Sequence, residues 1–469
     1  MNSAIRRRIC LCVALVLAPS VLSSAQTYTV IATLTGNNAN PQGALIQGVN
    51  GDFYGTSYGY VGNDEYGSVF KVSTTGTVTT LYTFCKKTNC TDGSYPTAGL
   101  LLAKNLDFYG TTTSGGKYGD GTVFKLTPSG ELTTLYSFCK ETNCADGVDP
   151  VGGLIQASNG LLYGTTAGGG TYGQGTVFSI TTGGTLTTLY SFCEQFDVCA
   201  DGGAEPESNL VQASNGNLYG TTTWGSIFEI TPQGALTILY EFCSQPSCED
   251  GNDPLGNIAQ SADGVLYGAT SKGGAYSGGV EWEFDPSSSF YEWLYFFGSS
   301  SGAVPNSATV GSDGNVYGTS LGAKGLSGIF YPSTAFEINT TSFEFTLLYT
   351  FCQDGTCSDG GPPTGGMVQS TNGNFYGASG GGTVFSLSTG LGPFVMTTPT
   401  SGEVGSTVYI LGTDLTGSTA VTFNGVAAKF TVESSSEIKA TVPKGAKSGA
   451  IQVTTPSSTL TSNNVFTVS

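Results

Sequence analysis

The chain contains no histidine in 469 residues. A Ser-His-Asp triad, a Cys-His pair and any zinc site built on imidazole are therefore excluded. Positive charge is scarce as well: 16 Lys and Arg stand against 34 Asp and Glu, a formal net charge of −18. Such a surface repels phosphate backbones and anionic lipid, which argues against nucleic acid as a partner and leaves divalent cations and neutral glycans open. Phosphate-binding loops are missing, because none of the Gly-rich segments ends in Gly-Lys-Ser/Thr.

Long apolar runs are absent but for one. Residues 9–22 are apolar, broken by Pro19, and follow Arg6, Arg7 and Arg8; Ser23, Ser24 and Ala25 supply small residues before Gln26. This reads as a secretory signal peptide, 1–25, cleaved after Ala25 and too short to span a bilayer comfortably. Its loss removes three Arg and no acid, taking the net charge to −21. No Cys directly follows a small-residue cleavage site, which argues against a lipid anchor, and no later stretch reads as a membrane helix.

Glycine, in contrast, is abundant, with 70 residues beside 39% hydrophobic content, so the chain is not disordered and glycine falls at turns. One Tyr-Gly pair recurs in each of seven units, at Tyr54, Tyr109, Tyr163, Tyr219, Tyr267, Tyr317 and Tyr376, spaced 55, 54, 56, 48, 50 and 59 residues apart. A repeat of this length means a solenoid, array or propeller. Each unit resolves into four short apolar runs bounded by turn residues, as at 153–157, 161–166, 175–180 and 186–192. The first two runs are joined by Asn-Gly or Asp-Gly (Asn159-Gly160, Asn215-Gly216, Asp263-Gly264, Asp313-Gly314, Asn372-Gly373), the dipeptides of tight hairpins.

The runs carry apolar residues on both faces, so each sheet must lie between two others, as radially stacked sheets do. The last unit has only three runs, and residues 28–34 match a fourth run placed at the start of the chain. Pairing the two removes both free edges. The expected fold is all-β: a seven-bladed β-propeller over 26–390, closed by the N-terminal strand, followed by an immunoglobulin-like β-sandwich over 391–469.

The order Leu-Tyr-Gly-Thr-Thr, Gly-Thr-Val-Phe, Leu-Thr-Thr-Leu-Tyr-Ser-Phe, recurring in register over 28–390, resembles the GloVer tandem repeat of secreted bacterial choice-of-anchor proteins. The resemblance implies a secreted or surface-exposed propeller-like protein with no assigned reaction. After Leu391 the repeat stops. Pro-Thr-Ser-Gly, Gly-Ser-Thr-Val, Phe-Asn-Gly-Val-Ala-Ala and Ala-Thr-Val-Pro follow in an order that resembles an IPT/TIG domain over 393–469, a spacer or recognition module without catalytic residues.

Beyond the signal segment, ten cysteines form five close pairs: Cys85/Cys90, Cys139/Cys144, Cys193/Cys199, Cys243/Cys248 and Cys352/Cys357. An even count in a secreted chain favours disulfides. Zinc thiolates are the rival, but they would need two pairs from different blades. Each pair is followed by Asp-Gly, at Asp92, Asp146, Asp201, Asp250 and Asp359, with further acids at Asp149, Asp253 and Glu205. Either Asp bonds the backbone ahead of a turn glycine, or the carboxylates gather Ca²⁺. No other cofactor is implied.

Strand alternation places these links and the loops between second and third strands on one face. Those loops offer Tyr66, Tyr118, Tyr172, Trp224 and Tyr276, which either stack on sugar rings or pack against neighbouring blades. Two function classes follow. One is a secreted or cell-surface, non-enzymatic binding protein, monomeric, meeting an extracellular glycan or surface protein. The other is a polysaccharide-active hydrolase or lyase using carboxylates, for which blade five is the place to start: it departs from the repeat with Glu281, Glu283 and Glu292.

Overall fold

A computed structural model describes residues 26–468 except 60–64, 195–198, 200–202, 214, 299, 325–329 and 354. The expected signal segment and Asp201 lie outside the described residues. Among those residues there is no α-helix; the regular elements are strands and four short 3-10 turns.

The repeat folds as antiparallel sheets of four strands, of which the fifth and sixth are joined by one parallel bridge into a sheet of eight. In the third sheet these are Ile155–Gln156, Leu162–Thr166, Thr176–Ile180 and Leu186–Ser191. The first strand is shorter than the apolar run at 153–157 suggests. Only two rungs form, Ile155 with Tyr163 and Gln156 with Leu162, because the backbone turns to the next sheet, where the Gly153 amide bonds the Asn209 side chain. The second strands Phe53–Ser57, Phe108–Thr112, Leu162–Thr166, Leu218–Thr222, Val316–Ser320 and Phe375–Ser379 are buried at every residue.

The Tyr-Gly pair sits on that buried strand, and both residues have a packing role. The hairpin residue four positions earlier meets the tyrosine hydroxyl: Asn105 donates to Tyr109 at 3.0 Å, Asn159 to Tyr163 at 2.7 Å, Asn215 to Tyr219 at 2.9 Å and Asn372 to Tyr376 at 2.9 Å. The glycine lies under an aromatic ring of the third strand. A Cβ on Gly110 would stand 2.6 Å from the Phe124 ring, and one on Gly164 2.7 Å from that of Phe178. Gly164→Ala is therefore expected to cost about 1–3 kcal/mol by overpacking, read as a lower denaturation midpoint with unchanged slope.

Apolar clusters join each sheet to its neighbour. Tyr54 and Val69 meet Phe108 and Phe124, Tyr109 and Val123 meet Leu162 and Phe178, and Tyr163 meets Leu218 and Phe228. The series continues through Tyr219 with Trp282, Tyr267 with Phe336 and Tyr317 with Phe385. A last cluster brings Tyr376 and Val384 against Phe53 and Phe70, so the seventh sheet packs on the first and the series closes. The N-terminal strand Thr27–Thr33 belongs to the seventh sheet, where Tyr28 opposes Leu387 and Thr29 opposes Ser386. Tyr28 stacks on Tyr349 at 4.0 Å and donates to the Asp359 carbonyl at 2.6 Å. Tyr291, on the fourth strand of the fifth sheet, does the same with Tyr240 at 4.1 Å and the Asp250 carbonyl at 2.6 Å.

Beyond the repeat, two further four-stranded sheets share one core of Val408, Ile410, Val421, Phe423, Ile438, Ile451, Val453 and Phe466. This module touches the hairpin end of the repeat: Ser436 Oγ donates to the Val49 carbonyl at 2.9 Å, and the Thr371 and Thr413 hydroxyls are 3.0 Å apart.

Candidate functional site

Among the described residues, four of the links between sheets are built around a carboxylate, buried in three of them. Asp146 accepts the Tyr136 hydroxyl at 2.8 Å and the amides of Lys140 and Glu141 at 3.0 and 3.1 Å. Asp92 takes Tyr82 at 2.7 Å and the amides of Lys86 and Lys87, and Asp250 takes Tyr240 at 2.9 Å with Ser244 and Gln245. Asp359 takes Tyr349 at 3.0 Å and the Cys352 amide at 2.8 Å. Burial, reinforced by the carboxylate hydrogen bond, lifts the Tyr82 and Tyr136 hydroxyls above their ordinary range; burial also leads for Tyr240, pushed up to about 12. The cysteines on either side, Cys85–Cys90, Cys139–Cys144, Cys193–Cys199, Cys243–Cys248 and Cys352–Cys357, are joined as disulfides. Asp120 lies near the sulfurs of Cys139 and Cys144, but a disulfide offers no thiolate to a metal.

These carboxylates have their lone pairs engaged by internal donors. Asp146→Ala would strand three donors in a buried link and is expected to cost about 3 kcal/mol, measured by thermal unfolding of the oxidised protein. Excess Ca²⁺ and EDTA should then give the same unfolding temperature as each other, in the parent and in Asp146→Asn alike. A Ca²⁺-dependent rise that survives Asp146→Asn and disappears in Glu207→Gln would move any ion to a second acidic group.

That group is Glu207 with Asp149, Glu205 and Asp253. The Glu207 carboxyl is raised first by burial and then by the charges of Glu205, Asp149 and Asp253, which brings acids from three successive units together. Asp149 is raised by burial and by Asp120. Glu207 was not legible as part of this group, because nothing in its local sequence repeats. Asp149, Glu205 and Asp253 share a left-handed backbone, with φ of 58°, 57° and 59°.

The loop aromatics divide. Tyr66 and Tyr172 are half-buried, and Tyr66 packs against the core between the first two sheets. Tyr118, Trp224 and Tyr276 are 40%, 59% and 66% exposed. Lys117 covers Tyr118, its ammonium 5.2 Å from the ring centre. Trp224 borders an open recess of about 530 Å³ with Glu205, Thr223, Asn252, Asp253 and Lys272. The polar wall of that recess is tied together: Lys272 pairs with Asp253 at 2.9 Å, Ser271 donates to Asp253 at 2.7 Å, and Thr223 donates to Glu205 at 3.2 Å. An exposed indole face ringed by carboxylates, an amide and an ammonium offers a stacking surface and hydrogen bonds to hydroxyl groups.

In the fifth sheet Glu281, Glu283 and Glu292 do not assemble on that face. Glu283 and Glu292 oppose each other across the ladder, while Glu281 opposes Tyr295. Glu281 is fully buried, and both its oxygens lack a hydrogen-bond partner among the described residues.

Together these features define a repeat protein of small antiparallel sheets, with disulfide-tied links and one exposed aromatic recess. The chain belongs to the Gloeobacter/Verrucomicrobia repeat family, which matches residues 20–226 and 222–435. No curated protein sequence matches it. Among solved structures it is similar to the extracellular domain of BT3049 from B. thetaiotaomicron, described as a hybrid two-component system, at TM-score 0.53 and 11% identity, covering 94% of this chain and 57% of that one. The corresponding domain of BT4673 gives 0.52 and 10%, covering 84% and 46%, so the chain spans about half the length of that relative. A fungal alcohol oxidase of the AA5 family, in complex with copper, gives 0.52 and 11%, covering 94% and 98%. At these identities the likeness is one of fold. No helix among the described residues is long and apolar enough to cross a membrane.

Proposed function

We propose that the chain is a secreted or cell-surface, non-enzymatic binding protein that takes a glycan on the face carrying Trp224. The reading includes a signal peptide over 1–25, a seven-bladed β-propeller over 26–390 closed by its N-terminal strand, and an IPT/TIG immunoglobulin-like domain over 391–469. The closed series of seven apolar clusters supports the propeller, and two sheets around one core support the sandwich. Ten cysteines paired within their own links suit an oxidising compartment. Similarity to extracellular domains points the same way.

The observation that carries the function is the recess at Trp224, where the most accessible tryptophan of the described residues stands among hydrogen-bonding side chains of two successive links. A shallow, open recess fits a chain lying across it rather than a small molecule enclosed by it. Pull-down on immobilised neutral polysaccharides tests this. Retention by the mature protein, reduced roughly tenfold in affinity by Trp224→Ala, is expected, the size of one lost stacking contact. Equal retention by the variant, or none by the parent, would reject the site.

A further inference from the structure

A second cavity lies away from the loop face. It has a volume of about 730 Å³ and is lined by the first strands of the third to sixth sheets, the hairpins Asp263-Gly264 and Asp313-Gly314, and Asn463 and Asn464 of the C-terminal module. This is within the size range of small-ligand sites.

Its position coincides with two departures from the repeat. At the place held by Ile46, Leu101, Ile155, Val211 and Val368 in the other units, the fifth and sixth carry Ala259 and Thr309. Ala259 is smaller than its counterparts and opens the space, while Thr309 matches the valines in size and donates its hydroxyl proton to the Met367 carbonyl at 2.7 Å. Two residues earlier, where four units have Ala44, Gly99, Gly153 and Gly366, the fourth to sixth carry Asn209, Asn257 and Ser307. Of these, Asn209 and Asn257 line the cavity. The backbones of the fifth and sixth sheets meet at this point, in a parallel bridge between Asn257 and Ser307. Space and polar groups have therefore appeared together, in the same neighbouring units.

The chemistry of the lining is specific. Asn209, Asn257, Gln260, Ser312 and Asn464 supply amides and a hydroxyl, Asp263, Glu283 and Asp313 supply carboxylates that accept from hydroxyl groups, and Ile155, Leu210 and Ile258 supply apolar surface. No Lys or Arg lines the cavity, so an anion has no counter-charge there. Asn257 lies on the same lining, and Asn463 Oδ1 is a buried acceptor without a partner among the described residues. A buried acceptor left unpaired is costly unless a donor arrives.

We infer that this cavity is a second binding site, which takes the end of an uncharged, hydroxyl-rich oligosaccharide between the propeller hairpins and the C-terminal module. The inference rests on the glycan-binding reading and adds a separate location to it. It gives the C-terminal module a function beyond spacing: Asn463 and Asn464 close one wall. Filling the cavity with the repeat's own residue should abolish binding without disturbing the loop face.

Calorimetric titration of the mature full chain with soluble cello-, malto-, manno- and galacto-oligosaccharides of two to four units tests it. The filled variant Ala259→Ile should bind at least roughly tenfold more weakly than the parent, and so should Asn257→Gly, which adds no bulk. The loss on Ala259→Ile should be the same in a Trp224→Ala background, from which the loop-face contribution is removed. Equal binding by parent, filled variant and Asn257→Gly, or no binding of any of the four series by the parent, would overturn the cavity site. Loss in Trp224→Ala alone would place the short ligands on the loop face instead. Polysaccharide retention, read separately, reports on the Trp224 recess whichever way the cavity behaves.

Discussion

Replacing Glu281 by Val is expected to raise stability by about 2 kcal/mol or more at neutral pH. The register makes Glu281 the counterpart of Val69, Val123, Val177, Ile227, Ala335 and Val384 in the other six sheets. Its cross-strand neighbour is Ala269, where five of the other six sheets place a threonine, so no hydroxyl faces it from that strand. Burial alone raises its carboxyl well above the ordinary value. The unfolded chain releases this proton above about pH 4.3, while the folded chain holds it. The stabilisation is therefore complete below that pH and is lost as pH rises through the folded value, by up to about 1.4 kcal/mol per pH unit.

Asp149, Glu207, Glu337 and Glu437, also raised by burial, contribute the same sign to both proteins, so the difference between parent and variant isolates Glu281. Chemical denaturation from pH 4 to 9 reads it. A variant that is less stable than the parent at pH 7, with an unchanged pH slope, would show that Glu281 has a partner in solution.

Removing residues 26–34 is expected to have a larger effect still. The deletion takes away the strand paired with Thr383–Ser388, the stacked Tyr28, and Ala32 and Leu34 from the cluster between the seventh and first sheets. Lost burial amounts to about 5 kcal/mol or more, comparable with the whole stability of many domains. The exposed edge Thr383–Ser388 would also be free to pair with another molecule. The truncated protein should unfold at markedly lower temperature and associate at micromolar concentration, and a synthetic peptide of residues 26–36 should restore both properties by strand addition. A truncated protein that stays monomeric with an unchanged melting temperature would mean that the strand is dispensable.

Much of this architecture is legible in the residues themselves. Tyr-Gly followed by Thr-Val-Phe marks a buried strand and the strand whose ring covers its glycine, and Asn159-Gly160 marks the hairpin between strands. The unpaired last unit points to residues 28–34 as its missing strand. The Asp-Gly turns were legible as turns, but their main partner was visible only as a recurring spacing: Tyr82 and Asp92, Tyr136 and Asp146, Tyr240 and Asp250, and Tyr349 and Asp359 are each ten residues apart. Glu281 stood out as an irregularity and suggested catalysis; only the register shows that it replaces a core valine. The cavity was hidden for a related reason. Ala259 is an ordinary strand residue until the first strands are seen side by side, and the approach of Asn463 depends on how a second module meets the repeat.

The first strand of the chain pairs with the last unit of the repeat and joins its two ends. Thr29 and Ser386 are direct partners in that closure although 357 positions separate them. Introducing Thr29→Cys with Ser386→Cys and mapping disulfides by mass spectrometry of the non-reduced monomer tests it most directly. One new intramolecular bond between these positions is expected, with the five native pairs intact and a raised unfolding temperature. Two free thiols in a folded monomer, or a bond found only between molecules, would contradict it.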